Sequence, residues 1–239
     1  MPQKITALYI SDVHLGSRGA AAEQLLNVLK LYRPERLYIV GDFIDGWALK
    51  RRHYWPQSYS NVIRKILSYA KKGVQVYYIT GNHDDFLRTY DLSDFGNIKI
   101  TDEVIHDGVW ITHGDLYDTI VMYNKWLAVL GSVGYEISLR INKVYAAIRK
   151  SLGLRPRSFS RWIKHRVKSA VAFMDKFEET MSSQAAARNC HTVICGHIHN
   201  PADHHVNGIR YLNTGDWVES LSYITLQNGE FKLHQTEQC

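Results

Sequence analysis

Ile5-Thr6-Ala7-Leu8-Tyr9-Ile10 runs without a charge into Ser11-Asp12-Val13-His14, and the same passage from an apolar run to a polar cluster recurs along the chain. Residues 37–40 lead into Gly41-Asp42, 76–80 into Gly81-Asn82-His83-Asp84, 109–112 into His113-Gly114-Asp115, and 193–195 into Gly196-His197-Ile198-His199. Short runs rich in β-branched and aromatic residues fit strands buried on both faces of a sheet. In open α/β sheets the loops at the carboxyl ends of the strands carry the ligands. All of these loops are therefore expected to converge on one edge.

Seven side chains in the clusters suit a metal: Asp12, His14, Asp42, Asn82, His113, His197 and His199. Imidazole mixed with carboxylate and amide oxygen is the donor set of Mn²⁺, Fe or Zn²⁺. One ion would leave donors over. Two divalent ions roughly 3.5–4 Å apart need a carboxylate between them and further ligands on each, the arrangement that clamps the attacking and leaving oxygens in phosphoryl transfer. A lone Asp or His after a strand is ordinarily a turn or cap residue. Asp-X-His, Gly-Asp-X-X-Asp, Gly-Asn-His-Asp and Gly-His-X-His in this order, each after a strand, are not independent accidents.

With these motifs the chain resembles the calcineurin-like metallophosphoesterases over nearly its whole length. The resemblance implies an α/β fold, a two-sheet sandwich flanked by helices, where the residues alone support only an α/β chain with a mixed sheet. It also implies that Asp12, His14, Asp42 and His199 hold one metal, that Asp42, Asn82, His113 and His197 hold the other, and that Asp42 is the bridge. His83 would give a proton to the leaving oxygen or stabilise charge on the phosphoryl group, with Asp45 as its orienting partner and Asn82 positioning a phosphoryl oxygen.

Composition is consistent with one large core. The chain has 239 residues, is 45% apolar and shows no repeat. Cys190, Cys195 and Cys239 lack Cys-X-X-Cys spacing and are odd in number, which argues against a disulfide framework and for a reducing cytoplasm. No signal peptide and no apolar run of about 18 residues is evident, so a soluble or peripheral protein is expected. Helical spacing predicts helices over 20–31 and 58–71, the second stopped by Gly73. Residues 209–212, 221–226 and 231–234 read as late strands, with Asn228-Gly229 as a hairpin turn.

The stretch 117–188 interrupts the alternation and divides the chain into a core, 1–116 with 189–239, and an insertion. It reads as a helical hairpin joined at Gly153-Leu154-Arg155-Pro156, one apolar stripe running from Ile137 to Leu152 and another through Trp162, Ile163, Val167, Ala170, Val171, Met174 and Phe177, with Ser158 as a cap. It holds 13 Lys/Arg against 5 Asp/Glu, which leaves 16 against 18 in the rest of the chain. Such a basic amphipathic lid suits an anionic membrane surface. It could instead track nucleic-acid phosphates, or simply solvate the outside of a packed helix pair.

The basic insertion together with Gly-Asp-Phe-Ile-Asp, Gly-Asn-His-Asp-Asp-Phe, Thr-His-Gly-Asp and Gly-His-Ile-His-Asn-Pro makes the chain similar to the UDP-2,3-diacylglucosamine diphosphatase family of lipid A biosynthesis. That resemblance implies Mn²⁺, a peripheral position on the inner face of the bacterial inner membrane, and cleavage of the pyrophosphate to UMP and a lipid phosphate. Arg149, Lys150, Arg157 and Arg161 are the candidate substrate-binding cations. The established lipid A enzymes carry arginine where this chain has His83. Another phospholipid, a soluble nucleotide or a nucleic-acid phosphodiester therefore stays open as substrate, as does a nucleic-acid-binding protein using the basic hairpin.

Overall fold

Along β1 (Gln3–Ile10) and β2 (Tyr32–Val40), successive side chains serve two different cores. Leu8, Ile10, Leu37 and Ile39 belong to a cluster with helix residues, and Ala7, Tyr9, Tyr38 and Val40 to a cluster with a second sheet. Both faces are apolar, which is why these strands read as continuous hydrophobic runs. The computed structural model describes residues 2–89, 94–117 and 160–236, and side chains for all of these except 94, 95 and 160–170. By contacts the chain forms two units, Met1–Leu116 with Met181–Cys239, and Tyr117–Thr180.

The first unit holds both sheets. The larger adds β3 (Gln75–Ile79), β4 (Asp94–Phe95), β5 (Ile98–Thr101), β11 (Ser222–Gln227) and β12 (Glu230–Gln235), in the order β12-β11-β1-β2-β3-β5-β4. Its β1, β2, β3 and β5 are parallel, and β11 runs antiparallel beside β1. The smaller sheet contains β6 (Glu103–His106), β7 (Val109–Thr112), β8 (Thr192–Cys195), β9 (Ala202–Val206) and β10 (Ile209–Asn213), in the order β6-β7-β8-β10-β9. Here β7, β8 and β10 are parallel. Val109, Ile111, Ile194 and Leu212 from the smaller sheet close the inter-sheet core against Tyr9, Tyr38 and Ile79. Each such side chain removed from water contributes roughly 1.5–3 kcal/mol.

Two crossover helices cover the other face of the larger sheet. α1 (Ala22–Leu31) buries Ala22, Leu25, Val28 and Leu29. A short α2 (Gly46–Arg51) follows β2, and α3 (Gln57–Lys71) buries Tyr59, Val62, Ile66, Tyr69 and Ala70. Gly73, at φ +86°, ends α3 as its position predicts.

α1 ends before Pro34, which lies inside β2. The proline pairs with Ile5 of β1, while β3 begins only opposite Arg36, so the side of β2 that proline cannot bond has no neighbour there. The hairpin at Asn228-Gly229 has both residues at positive φ, 53° and 79°, as the favoured two-residue turn requires.

Within 117–188 the described residues are Tyr117, α4 (Ser160–Ala187) and Arg188. The first predicted helix of the insertion, its Gly-Leu-Arg-Pro joint and Ser158 lie outside the described residues. Of the second predicted stripe, Phe177 is buried, but Val171 is 45% exposed, so the stripe does not run along one covered face through that point. The last turns bury Met181, Ser182 and Ala185, at the spacing of one helix face. Cys190 and Cys195 are free thiols.

Candidate metal centre

Because β1, β2 and β3 are parallel, and β7, β8 and β10 are parallel in the other sheet, the loops that carry the seven candidate ligands leave strands at their carboxyl ends. The β1 and β2 loops are tied by main-chain bonds from Asp12 N to Gly41 O and His14 N to Asp42 O, at 3.0 and 2.9 Å. Asp12, His14, Asp42, His197 and His199 all have φ between 50° and 70°. Such left-handed conformations are uncommon for residues with a side chain, least so for Asp, Asn and His, and concentrate where function over-determines the backbone.

Two glycines let the loops approach this closely. A Cβ on Gly81 would stand 2.3 Å from Asp42 Oδ1, and one on Gly196 would stand 2.4 Å from Asp12 Oδ2. Those two carboxylates are fully buried, and each spends one oxygen on a backbone N–H from an opposing loop. Asp42 Oδ1 accepts from His83 N at 2.8 Å, and Asp12 Oδ2 accepts from His197 N at 3.0 Å. Their other oxygens face imidazoles. Asp42 Oδ2 lies 3.4 Å from His113 Nε2 and 3.9 Å from both His14 Nε2 and His83 Nε2. Asp12 Oδ1 lies 2.9 Å from His199 Nε2, whose distance to His14 Nε2 is 3.3 Å.

Among the described residues, three groups of donor atoms could each take a cation: Asp12 with His14 and His199, Asp12 with Asp42 and His113, and His14 with Asp45 and His83. The donor chemistry fits a metal. Asp42 Oδ2, Asn82 Oδ1 and His113 Nε2 are buried without a hydrogen bond among the described residues. Polar atoms in that state are costly unless something coordinates them. His113 donates Nδ1–H to Val40 O at 2.9 Å, which leaves Nε2 facing Asp42 Oδ2.

The electrostatics agree. Burial pushes His113 down, but the Asp42 and Asp12 carboxylates outweigh it, and the ring is pushed up to about 10. Burial likewise penalises the Asp12, Asp42 and Asp45 carboxylates, yet neighbouring imidazoles hold all three below the usual carboxylate range. The cluster favours positive charge at its centre.

His83 and Asp45 come together as expected, with His83 Nδ1 3.0 Å from Asp45 Oδ1. Asp45 Oδ2 is 3.6 Å from His14 Nδ1, so one carboxylate braces two rings. It also caps α2, accepting from Ala48 N at 2.8 Å. Trp47, the second residue of α2, lies against the His83 ring, centroids 4.3 Å apart. Arg149, Lys150 and Arg157 lie outside the described residues, as does the side chain of Arg161.

Several supporting residues had no assigned role in the sequence reading. Asp84 accepts from Phe43 N, Tyr78 Oη and Gly81 N at 2.9, 2.7 and 2.6 Å, binding the β3 loop to the β2 loop. Burial and then the nearby Asp42 push its carboxyl up. Arg88 donates to Thr80 O, Asp102 and both oxygens of Asp115, joining the loops after β3 and β7. After β10, Asn213 donates to Gly196 O at 2.8 Å, and Trp217 N donates to Asp12 O at 3.0 Å. The strand-then-polar signal was present at Asn213-Thr214-Gly215-Asp216 too.

The sequence pattern of the calcineurin-like phosphoesterases matches residues 5–201, which span every one of these loops except that after β10. The chain belongs to the calcineurin-like phosphoesterase family. This phosphoesterase is accordingly a hydrolase, and its clustered Asp and His side chains are those that divalent metals require. It is 25% identical over 243 residues to a UDP-2,3-diacylglucosamine hydrolase of Aeromonas salmonicida, with 97% of this chain and 93% of that one covered. A protein of the same name from Neisseria gonorrhoeae is 27% identical over 237 residues, covering 93% and 94%. Among solved structures, an archaeal phosphodiesterase aligns over 96% of this chain and 99% of its own, with 14% identity and a TM-score of 0.45. No helix among the described residues is long and apolar enough to cross a membrane.

Proposed function

We propose that this phosphoesterase hydrolyses the pyrophosphate of a nucleotide diphosphate lipid, UDP-2,3-diacylglucosamine or a near analogue, releasing UMP and a lipid phosphate. The observation that carries the hydrolytic reading is the meeting of Asp42 Oδ2 with imidazoles from the loops after β1, β3 and β7. The substrate reading is supported by relatives of that name aligned over more than nine-tenths of both chains. Asp12, His14, Asp42 and His199 would hold one ion, and Asp42, Asn82, His113 and His197 the other, with Mn²⁺ favoured and Fe or Zn²⁺ also suited to the donors. When bound, such ions neutralise phosphoryl oxygens and make water nucleophilic near neutral pH.

The chain's own groups do the rest. Val40 O and Asp45 fix the rings of His113 and His14, so their Nε2 atoms face the centre. Asp45 holds Nδ1 of His83, leaving Nε2 to carry the proton given to the leaving oxygen. The Asn82 amide would position a phosphoryl oxygen.

The test is product analysis with Mn²⁺. UDP-2,3-diacylglucosamine should yield UMP, with a kcat/KM at least roughly a hundredfold above that for bis(p-nitrophenyl) phosphate, as binding remote from the reacting centre lowers the barrier. An untouched lipid beside fast turnover of a soluble diester would sink the lipid reading. The histidine at position 83 favours that second outcome as the competing reading, a soluble nucleotide or another phospholipid as substrate.

The same proposal places the enzyme on the cytoplasmic face of a bacterial inner membrane, held there by the basic excess of 117–188. In vesicle flotation the protein should rise with anionic but not neutral vesicles. Neutralising Arg149, Lys150, Arg157 and Arg161 together should release it, at about 1 kcal/mol for each cation near the surface. Flotation indifferent to those four charges would leave the insertion as a solvated helix pair.

A further inference from the structure

The core outside 117–188 carries slightly more acid than base, yet residues 46–56 contain Lys50, Arg51 and Arg52 and no acid. Lys50 and Arg51 stand three and four residues after Trp47 on α2, the spacings that place side chains on one helix face. Trp47 is itself 39% exposed and lies against His83, so that face begins at the reacting centre. Both cations are exposed. Among the described residues, lysine and arginine ion pairs are made by Arg88, Arg188 and Arg210, and neither Lys50 nor Arg51 joins one. Cations in the last turn of a helix also complement its dipole. A six-residue helix has little dipole to complement, and its anchorage, Asp45 at one end and Leu49 against Gly16, uses neither charge.

We propose that Lys50 and Arg51 form an anion subsite for a second phosphoryl group of the substrate, one helical turn along that face from the group being cleaved. The substrate class is then a diphosphate rather than a simple phosphodiester. This deepens the reading above and rests on it for the position of the scissile phosphorus. It also moves part of substrate choice from the insertion into the core. Arginine and lysine grip phosphate through charge-assisted hydrogen bonds, each among the stronger single contacts a surface can make.

The test is calorimetric titration of the Mn²⁺-loaded full chain with methylenediphosphonate and, separately, methylphosphonate. The wild type should bind the diphosphonate more tightly. Lys50→Ala/Arg51→Ala should weaken the diphosphonate roughly tenfold to a hundredfold, as expected for one or two charge-assisted bonds. Methylphosphonate affinity should stay within about twofold, since its one phosphoryl group needs only the metal centre. Lys50→Arg/Arg51→Lys should restore most of the preference.

An unchanged preference in the alanine variant, equal weakening of both ligands, or no diphosphonate binding by the wild type would each overturn the subsite. Thermal melts of the variants confirm that the fold is retained. Failure of the lipid reading looks different: UDP-2,3-diacylglucosamine remains intact while the diphosphonate preference still depends on Lys50 and Arg51.

Discussion

Asp42→Ala is expected to empty the metal centre. Metal analysis should find about two ions per wild-type chain, as a two-metal site requires, and close to none in the variant. Hydrolysis should fall by roughly a thousandfold or more, the scale of losing the main electrostatic stabilisation of a transition state. The position of Asp42 sets the size of the effect. Asp42 is fully buried, and among the described residues its Oδ2 is the one carboxylate oxygen that lies within 4 Å of His14, His83 and His113 together. Asp42→Asn separates charge from shape, since the amide keeps an oxygen for His83 N while losing the negative charge. It should lose metal nearly as completely. A variant that keeps both ions and full turnover would falsify the bridging assignment.

The same substitution has a signature without metal. In the chelated wild type, His113 is held at about 10 against an ordinary 6.5, first opposed by burial and then raised by Asp42 and Asp12. A group raised in the folded state contributes stability that is fully present below its unfolded pKa and is lost as pH rises through the folded one. Melting of the chelated wild type should therefore decline between pH 6.5 and 10. Asp42→Ala removes the larger of the two carboxylate influences, so its decline should be shallower. Restoring metal to the wild type adds a stabilisation that grows with the logarithm of metal concentration, and the variant should lack it.

Strands with both faces buried were legible because each core face demands apolar residues, and the loops that carry the candidate ligands were legible because each begins where such a run stops. The edges were not. β9 reads Ala-Asp-His-His-Val and exposes Asp203, His204 and His205, so no apolar pattern marks it. β5 and β6 are four residues each and half exposed, separated only by Asp102. α2 is six residues long and depends on a cap whose side chain also serves His83. The polar residues of the site divide by a criterion that one sequence does not contain. Asp84 and Asn213 follow strands just as Asp42 and His113 do, but spend their oxygens and amide mainly on backbone groups and two tyrosine hydroxyls, whereas Asp42 Oδ2 and His113 Nε2 are left facing each other. The left-handed backbone of five candidate ligands is likewise a tertiary outcome, fixed by main-chain bonds between the β1 and β2 loops and by the close approach at Gly81 and Gly196.

His83→Ala should lower kcat by roughly a hundredfold to ten-thousandfold, the usual worth of a positioned proton donor, with both ions retained. The ring is held between Asp45 at 3.0 Å and the face of Trp47, a geometry that fixes which nitrogen faces the centre. Metal content is the first discriminator, because His14, Asp45 and His83 also form a group able to take a cation. If His83→Ala releases an ion, His83 is a ligand and the assignment of Asn82 to the second metal must be revised. His83→Arg is the second discriminator. Arginine keeps a positive charge beside the phosphoryl group but cannot give up its proton at any ordinary pH. Recovery of most of the lost kcat by arginine would assign His83 to charge stabilisation. Proton donation predicts no such recovery, with KM at or below the wild-type value because the guanidinium still grips phosphate. Asp45→Asn supplies the matching loss through charge: the amide keeps an oxygen for Nδ1–H but loses the negative charge that favours the protonated ring, and kcat should fall by about tenfold to a hundredfold with His83 still in place. A normal kcat in Asp45→Asn, with His83→Ala severely impaired, would show that an oxygen at position 45 is enough for the ring and that its charge is not needed.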